Sequence, residues 1–471
     1  MADQITRREV LKRGVAGAAG LTLMPAVIAA CNNVATPPPV RTPTPAPTPA
    51  AAPATPSPTP TPQSAIPDLA GGLTIGSHYS DPSELAGMQA VGAAFLAATG
   101  LNPVLNTIDH GTYANAANAT TYLENAPDDV FTWFSGYRMR FFAEKGLLAA
   151  IDDVWARVSG NFTAGFAQAV TGSDGHIYGL PVDFYPWLMF YRKSVWAQHG
   201  YTIPATWDDL LALCARMKKD GLTPIAFSDK DGWPAMGTFD ILDLRLNGYD
   251  FHTGLLAGQY KWSDPRVTAV FEAWRLLVPF YTRNFAGLTW QQACDTLTRK
   301  QAGMFFMGLF MTGEVALADK TAVDDIDFFP FSYFGNDFDA EQAIDAPVDT
   351  FVVASKSPSL AADLHWAKAY LEFWAKGSTQ LLMYEANSGF IPTASDTDSS
   401  KLDRLTAKSM SLVGQARRIT QFLDRDTRPD FAGASAMQTF LLNFLKNPKQ
   451  DLAALEDTIQ RFWDSLPDYQ G

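Results

Sequence analysis

Flat aromatic rings stand beside carboxylates or a hydroxyl at four places in the sequence: His78-Tyr79-Ser80-Asp81, Trp133 with Ser135, Asp183 with Tyr185 and Trp187, and Asp229 with Asp231 and Trp233. A fifth segment, Gln421 to Thr427, adds Asp424 and Arg425. This is the chemistry a sugar needs. A pyranose has apolar C–H faces that stack on flat rings and a rim of hydroxyls that donate charge-assisted hydrogen bonds to carboxylates and accept them from guanidinium groups. An anionic solute would need converging cations, and these loops offer mainly Lys230 and Arg425. A polyamine site would also use carboxylates and rings, so that class stays open. Acidic pairs at Asp152-Asp153, Asp208-Asp209 and Asp324-Asp325 raise a secreted carbohydrate-active hydrolase as an alternative. Adjacent carboxylates at helix starts serve capping, however, and nothing marks one of them as desolvated. The six histidines are isolated, with no His-Glu-x-x-His and no Cys-x-x-Cys, so no metal site and no cofactor is expected.

The elements that must carry these groups are legible around residues 178–233. Asp183, Tyr185 and Trp187 share one face at period two, followed by an apolar run from Leu188 to Tyr191 that predicts a buried strand. Whether Tyr185 and Trp187 face a ligand or the core is open at this point. Thr206 stands three residues before Asp209, a capping box that predicts a helix through Lys219 with Gly221 as its stop. Pro224 to Phe227 read as a further strand, opening into a polar loop, Ser228 to Pro234, that presents Trp233. In α/β sheets ligands sit at such strand ends.

Leu73 to Gly76 predict a first strand and Pro82 to Gly100 a helix, with further strands over Asn102 to Ile108 and Asp129 to Gly136. Beyond the central stretch, helices are expected over Asp264 to Tyr281, over Thr289 to Thr298, from Ser357-Pro358 through Trp374, and over 403–417, 434–446 and 449–465. Gly303 to Phe310 read as a buried strand. Trp207, Trp274, Trp366 and Trp374 have helical spacing and are assigned to packing, and Trp133 could belong to a core as well as to a site. Strands alternating with helices imply an α/β fold with mostly parallel sheets.

At 471 residues, with a formal net charge of −13, the chain is long enough for two cores and too acidic for nucleic acid or an anionic membrane surface to be its main partner. Thr6-Arg7-Arg8-Glu9-Val10-Leu11-Lys12 resembles a twin-arginine export signal, and Ile28-Ala29-Ala30-Cys31 resembles a bacterial lipobox, which implies cleavage before Cys31 and lipidation of its sulfur. Loss of residues 1–30 takes four basic and two acidic side chains and moves the charge from −13 to −15. Residues 31–66, rich in Thr-Pro and Ala-Pro, cannot bury a core and predict an extended tether reaching on the order of 100 Å. Cys214 and Cys294 lie on expected helices as buried thiols.

Six segments, taken in order, resemble the carbohydrate-binding group of ABC-importer solute-binding proteins, the maltose-binding-protein-like family. They are Pro127 to Trp133 with Glu144 to Leu148; Tyr178 to Pro181 with Phe190 to Lys193; Pro204 to Leu210; Trp233-Pro234; Gly303-Met304; and Asn387 to Pro392. The resemblance implies two α/β lobes, each a mostly parallel sheet flanked by helices, joined by hinge crossovers: 67–182 with 350–391, and 183–349 with 392–471. It further implies a sugar held in the cleft, delivery to ABC permease subunits, no enzymatic activity, a monomeric state and an extracytoplasmic, lipid-anchored location. Site residues expected on this basis are His78, Tyr79, Ser80, Asp81, Trp133, Ser135, Asp183, Tyr185, Trp187, Asp229, Asp231, Trp233, Asp424 and Arg425.

Overall fold

Two apolar cores organise the chain, each built on its own sheet. The computed structural model describes residues 72–471 except 109–112, 114–121, 126, 358–359, 434 and 468–471. The export signal, Cys31, the tether and Pro358 of the expected helix start lie outside the described residues.

The first sheet takes β1 (Thr74–Ser77), β2 (Val104–Thr107), β3 (Val130–Phe134), β4 (Leu148–Ala149) and β5 (Gly179–Phe184). The second takes β6 (Trp187–Arg192), β7 (Thr223–Ala226), β8 (Ala302–Gly308) and β9 (Ile326–Phe329). The chain then passes through β10 (Ala343–Asp345) and returns to the first sheet as β11 (Val348–Ala354), while β12 (Arg418–Thr420) pairs with β10 in a two-stranded ribbon. In the first sheet β1, β2 and β3 are mutually parallel, and β11 runs antiparallel to β3, β4 and β5. In the second, β7 and β8 are parallel while β6 runs antiparallel to β8 and β9. Each sheet is therefore mostly parallel with one reversed strand. The reversed strand is in each case the one that arrives from the other sheet, because a chain leaving one lobe at the cleft must enter the next from its cleft end.

The expected face of Asp183, Tyr185 and Trp187 on one strand is corrected by this crossing. Pro186, which lacks an N–H to donate to a ladder, divides it: β5 ends at Phe184 in the first sheet and β6 begins at Trp187 in the second. Trp187 is consequently buried in the second core, stacked on Phe422 with ring centroids 5.0 Å apart.

Local signals in the sequence largely form as read. Thr206 caps the helix Trp207–Lys219 and Thr289 caps Trp290–Thr298, both as complete capping boxes. Gly100 ends Pro82–Thr99 with φ of 79°, in the left-handed region that only glycine occupies without strain. The expected helix over Asp264 to Tyr281 stops at Leu277, where a 3-10 turn, Val278–Phe280, takes over. The C-terminal helices run Arg404–Gln415, Met437–Lys446 and Leu452–Ser465. Trp207, Trp274, Trp366 and Trp374 all pack in cores, and Cys214 and Cys294 are buried thiols, with burial pushing the Cys214 thiol up to about 12. Several helices escaped the sequence reading, among them Tyr137–Glu144, Tyr249–Leu256, Gly377–Ala386 and Pro234–Asn247; the last is buried on nearly every side, so it has no polar stripe to betray its period.

That helix carries Asp240 against Asp345 of β10, both fully buried. Neither oxygen of Asp345 and only one of Asp240 finds a hydrogen-bond partner. Burial pushes both carboxyls above the usual carboxylate range, and Asp345 adds to the rise at Asp240. Acids raised in the folded state stabilise it fully below their unfolded pKa of about 4 and lose that contribution as pH rises. Asp345→Asn, which imitates the neutral acid, is expected to unfold about 1–3 kcal/mol harder than the native protein near pH 8, with the two converging near pH 4. Thermal melts followed by circular dichroism check this; parallel curves at all pH values contradict it.

A candidate ligand site where the chain crosses between lobes

The two crossings bring β5 and β11 side by side, so Asp183 and Asp349 are direct cross-strand partners at the cleft ends of their strands. Both are buried. Asp349 is the centre of a polar cluster: Arg425 Nη1 donates to its Oδ1 at 2.7 Å, Tyr185 Oη to Oδ1 at 3.4 Å and Tyr79 Oη to Oδ2 at 3.4 Å. His78 Nε2 lies 3.4 Å from Oδ2, while its Nδ1 is 2.9 Å from Thr132 Oγ1. Burial works against the Arg425 charge, but Tyr185 and Asp349 outweigh it and keep the guanidinium protonated. The same guanidinium lies over the Phe134 ring at 4.2 Å and the Tyr185 ring at 5.1 Å.

Arg425 sits on a single helical turn, Leu423–Asp426, that has little stability of its own. Its neighbours fix it to both lobes. Gln421 Oε1 accepts from Ser135 Oγ at 2.9 Å and from the Val348 N–H at 2.8 Å, and Asp426 Oδ1 accepts from the Tyr137 N–H at 3.2 Å. On the other side, the Leu423 N–H donates to Asp240 Oδ2 at 2.8 Å and Thr427 Oγ1 to the Leu256 carbonyl at 2.7 Å. Gly136 must be glycine here: its φ is 78°, and a Cβ would stand 2.5 Å from Asp426 Oδ1.

Adjoining the polar cluster, with Tyr185 shared between the two, stands an aromatic wall. Tyr185, Trp233, Trp290 and Phe310 are each half-buried. Phe310 is the common neighbour, meeting Tyr185 at 5.3 Å, Trp290 at 5.1 Å and Trp233 at 6.1 Å, all edge to face. Trp187 backs Trp233 at 6.1 Å from within the core.

The residues singled out from sequence divide accordingly. His78, Tyr79, Asp183, Tyr185 and Arg425 converge on Asp349, and Trp233 joins the wall. Ser135 is buried and holds Gln421, one step behind the cluster. Asp424 is 3.6 Å from Arg425 Nε. Trp133 and Trp187 are core side chains. Ser80 is half-buried, and Asp81 is exposed as the N-cap of Pro82–Thr99. In the loop before Pro234, Asp231 is exposed, but Asp229 is buried and its Oδ1 accepts from the Ala235 N–H at 3.0 Å, so it caps a helix; burial pushes its carboxyl up to about 7. Sequence reading missed Asp349, Glu84, Trp290 and Phe310. Glu84 Oε2 accepts from the Asp81 N–H at 3.2 Å, and burial together with Asp81 pushes its carboxyl up to about 8. Asp349 had one signal, a lone acid near the start of the otherwise apolar run Val348 to Ala354. Among the described residues no group of His, Cys, Asp or Glu could hold a metal ion. The arrangement places hydroxyl acceptors and one guanidinium beside flat apolar rings.

Residues 79–378 match the family model described as bacterial extracellular solute-binding protein. An uncharacterised ABC transporter extracellular-binding protein of Pyrococcus horikoshii is 25% identical over 341 residues, 71% of this chain and 72% of that one. A probable sugar-binding periplasmic protein of Rhizobium meliloti is 28% identical over 44% of this chain and 48% of its own length. Among solved structures, the bacterial solute receptor AcbH, described as having an exclusive substrate preference for β-D-galactopyranose, superposes with a TM-score of 0.78 at 37% identity, over 84% of this chain and 99% of that one. Maltose-bound MalE3 of T. maritima shares the fold at 15% identity, with a TM-score of 0.68 over 83% of this chain and 99% of its own.

Removing one member of a buried ion pair strands the other charge, which costs about 3–5 kcal/mol. Asp349→Ala is therefore expected to destabilise the protein by roughly that amount in urea unfolding. A loss below about 1 kcal/mol means that Arg425 does not depend on this carboxylate.

Proposed function

The chain belongs to the bacterial extracellular solute-binding proteins, in the carbohydrate-binding group of ABC transporter receptors, and from that premise we propose that it captures a neutral monosaccharide between its two lobes. The observation that carries this reading is the Asp349 cluster adjoining, through Tyr185, the wall of Phe310, Trp233 and Trp290. One side supplies charged and phenolic partners for hydroxyls, the other supplies rings for a C–H face. β-D-galactopyranose is the first ligand to test, because the relative with that preference is 37% identical over nearly its whole length. Sequence places the lobe boundaries at 67–182 with 350–391 and 183–349 with 392–471; in this reading each boundary moves by about three residues, to the crossings at Tyr185-Pro186 and Ala346-Pro347, because Asp183 and Asp349 pair within the first sheet, and the lobes close on the sugar about those crossings.

In this reading the loaded protein hands its sugar to ABC permease subunits, works as a monomer without catalysis, and is exported by the twin-arginine-like signal. Cys31 then carries a lipid that anchors it at the outer face of the membrane, with residues 31–66 as the tether. A polyamine is the second reading. It rests on the carboxylates Glu84, Asp183 and Asp349 outnumbering Arg425 in the cluster.

Calorimetric titration with galactose, glucose, lactose and spermidine separates these. Galactose is expected to bind with a micromolar or lower dissociation constant, and spermidine binding without a galactose response overturns the sugar reading. Trp233→Ala is expected to weaken galactose affinity by about 1–3 kcal/mol with the melt unchanged. Solution scattering is expected to record a smaller radius of gyration on adding galactose; an unchanged radius with saturated binding excludes lobe closure.

A further inference from the structure

Two acids placed directly opposite each other on adjacent strands repel, and the repulsion grows as water leaves. Asp183 and Asp349 are such a pair, one on each crossing strand, at 7% and 3% exposure. Their other partners differ. Asp349 receives the Arg425 guanidinium at 2.7 Å and two phenolic hydroxyls. For Asp183 Oδ1 the side-chain and inter-segment partner is a neutral donor, the Ile391 N–H at 2.7 Å. The remaining groups around the pair are His78 and Tyr79 after β1, Glu84 on the first helix, and Tyr185 at the first crossing. Glu84 is acidic and adds to the repulsion on Asp183.

We propose that Asp183 and Asp349 hold one proton between them when the lobes are closed, with Asp349 ionised against Arg425 and Asp183 carrying the proton, so that capture of a neutral sugar is accompanied by uptake of about one proton from solvent. In the open cleft, water solvates both carboxylates and each titrates near the ordinary carboxylate range. Closing removes that water, and the acid without a cation neutralises. The burial of Asp183, with Asp349 beside it, drives its carboxyl well above the ordinary range, in agreement with the geometry. Asp183 then presents an O–H and becomes a hydrogen-bond donor, while Asp349 remains the acceptor. The pair offers one donor and one acceptor side by side, which suits a hydroxyl that must both give and take.

This inference rests on the sugar-capture reading, and its test separates the two. Galactose binding is titrated in buffers of low and high ionisation enthalpy at neutral pH, where the difference in apparent heat counts protons. About one proton is expected to be taken up per sugar, and the dissociation constant is expected to rise about tenfold per pH unit across the window between the open-state and closed-state pKa values of Asp183. Asp183→Asn is expected to lose both effects, and His78→Gln to keep them. Binding without proton uptake overturns the proposal. So does uptake that survives Asp183→Asn or disappears only in His78→Gln, which puts the proton on the imidazole. If galactose does not bind, the galactose reading fails, and the same two-buffer titration with glucose and lactose decides: uptake of about one proton that Asp183→Asn abolishes is expected, and binding without uptake overturns the proposal.

Discussion

Asp349 is a buried acid at the point where the chain re-enters its first lobe, and the cleft depends on how its charge is met. A carboxylate taken out of water needs a partner of opposite charge and further donors. Arg425 supplies the charge at 2.7 Å, and Tyr79 and Tyr185 supply the donors. These partners come from three regions: the first strand-end loop, the first crossing and a C-terminal turn. The ion pair therefore ties the polypeptide's two passages between lobes to a segment far from both in sequence. Gln421 and Asp426 hold that segment against the first lobe, and Leu423 and Thr427 hold it against the second.

The topology explains why this convergence happens where it does. In each sheet the strand entering from the opposite lobe runs against its neighbours, so β11 begins at the cleft and β5 ends there. Side chains at those two ends must share one small region. Apolar packing surrounds it: Trp187 and Phe422 fill the second core behind the wall, and Trp133 fills the first. The tryptophan-rich composition is thus divided between cores, which hold the lobes rigid, and a few half-buried rings that remain presented at the cleft.

What could be read from sequence was what local chemistry specifies. Capping boxes at Thr206 and Thr289 and the stop at Gly100 act over a few residues and formed as expected. The first strand–helix unit brought His78 and Tyr79 into view for the same reason. Asp349 could not be found this way, because its role is set by Arg425, 76 residues on, and by Tyr79, 270 residues back. Helix Pro234–Asn247 was hidden because burial on all sides erases its period. The period-two face through Trp187 misled because alternation continues in sequence across Pro186 while the two halves join different sheets. Asp229 read as a ligand group because its type suits a sugar; its buried carboxylate also accepts from the Ala235 N–H in the first turn of Pro234–Asn247, a contact its distance from that helix in sequence hid.

A crystal structure of the protein grown with galactose tests most directly whether a sugar is held by the Asp349 cluster and the ring wall. A pyranose is expected whose hydroxyls lie within hydrogen-bond distance of Asp349 and whose C–H face rests on Trp233 or Trp290. A sugar bound elsewhere, or one in the cleft that touches neither Asp349 nor the ring wall, contradicts it.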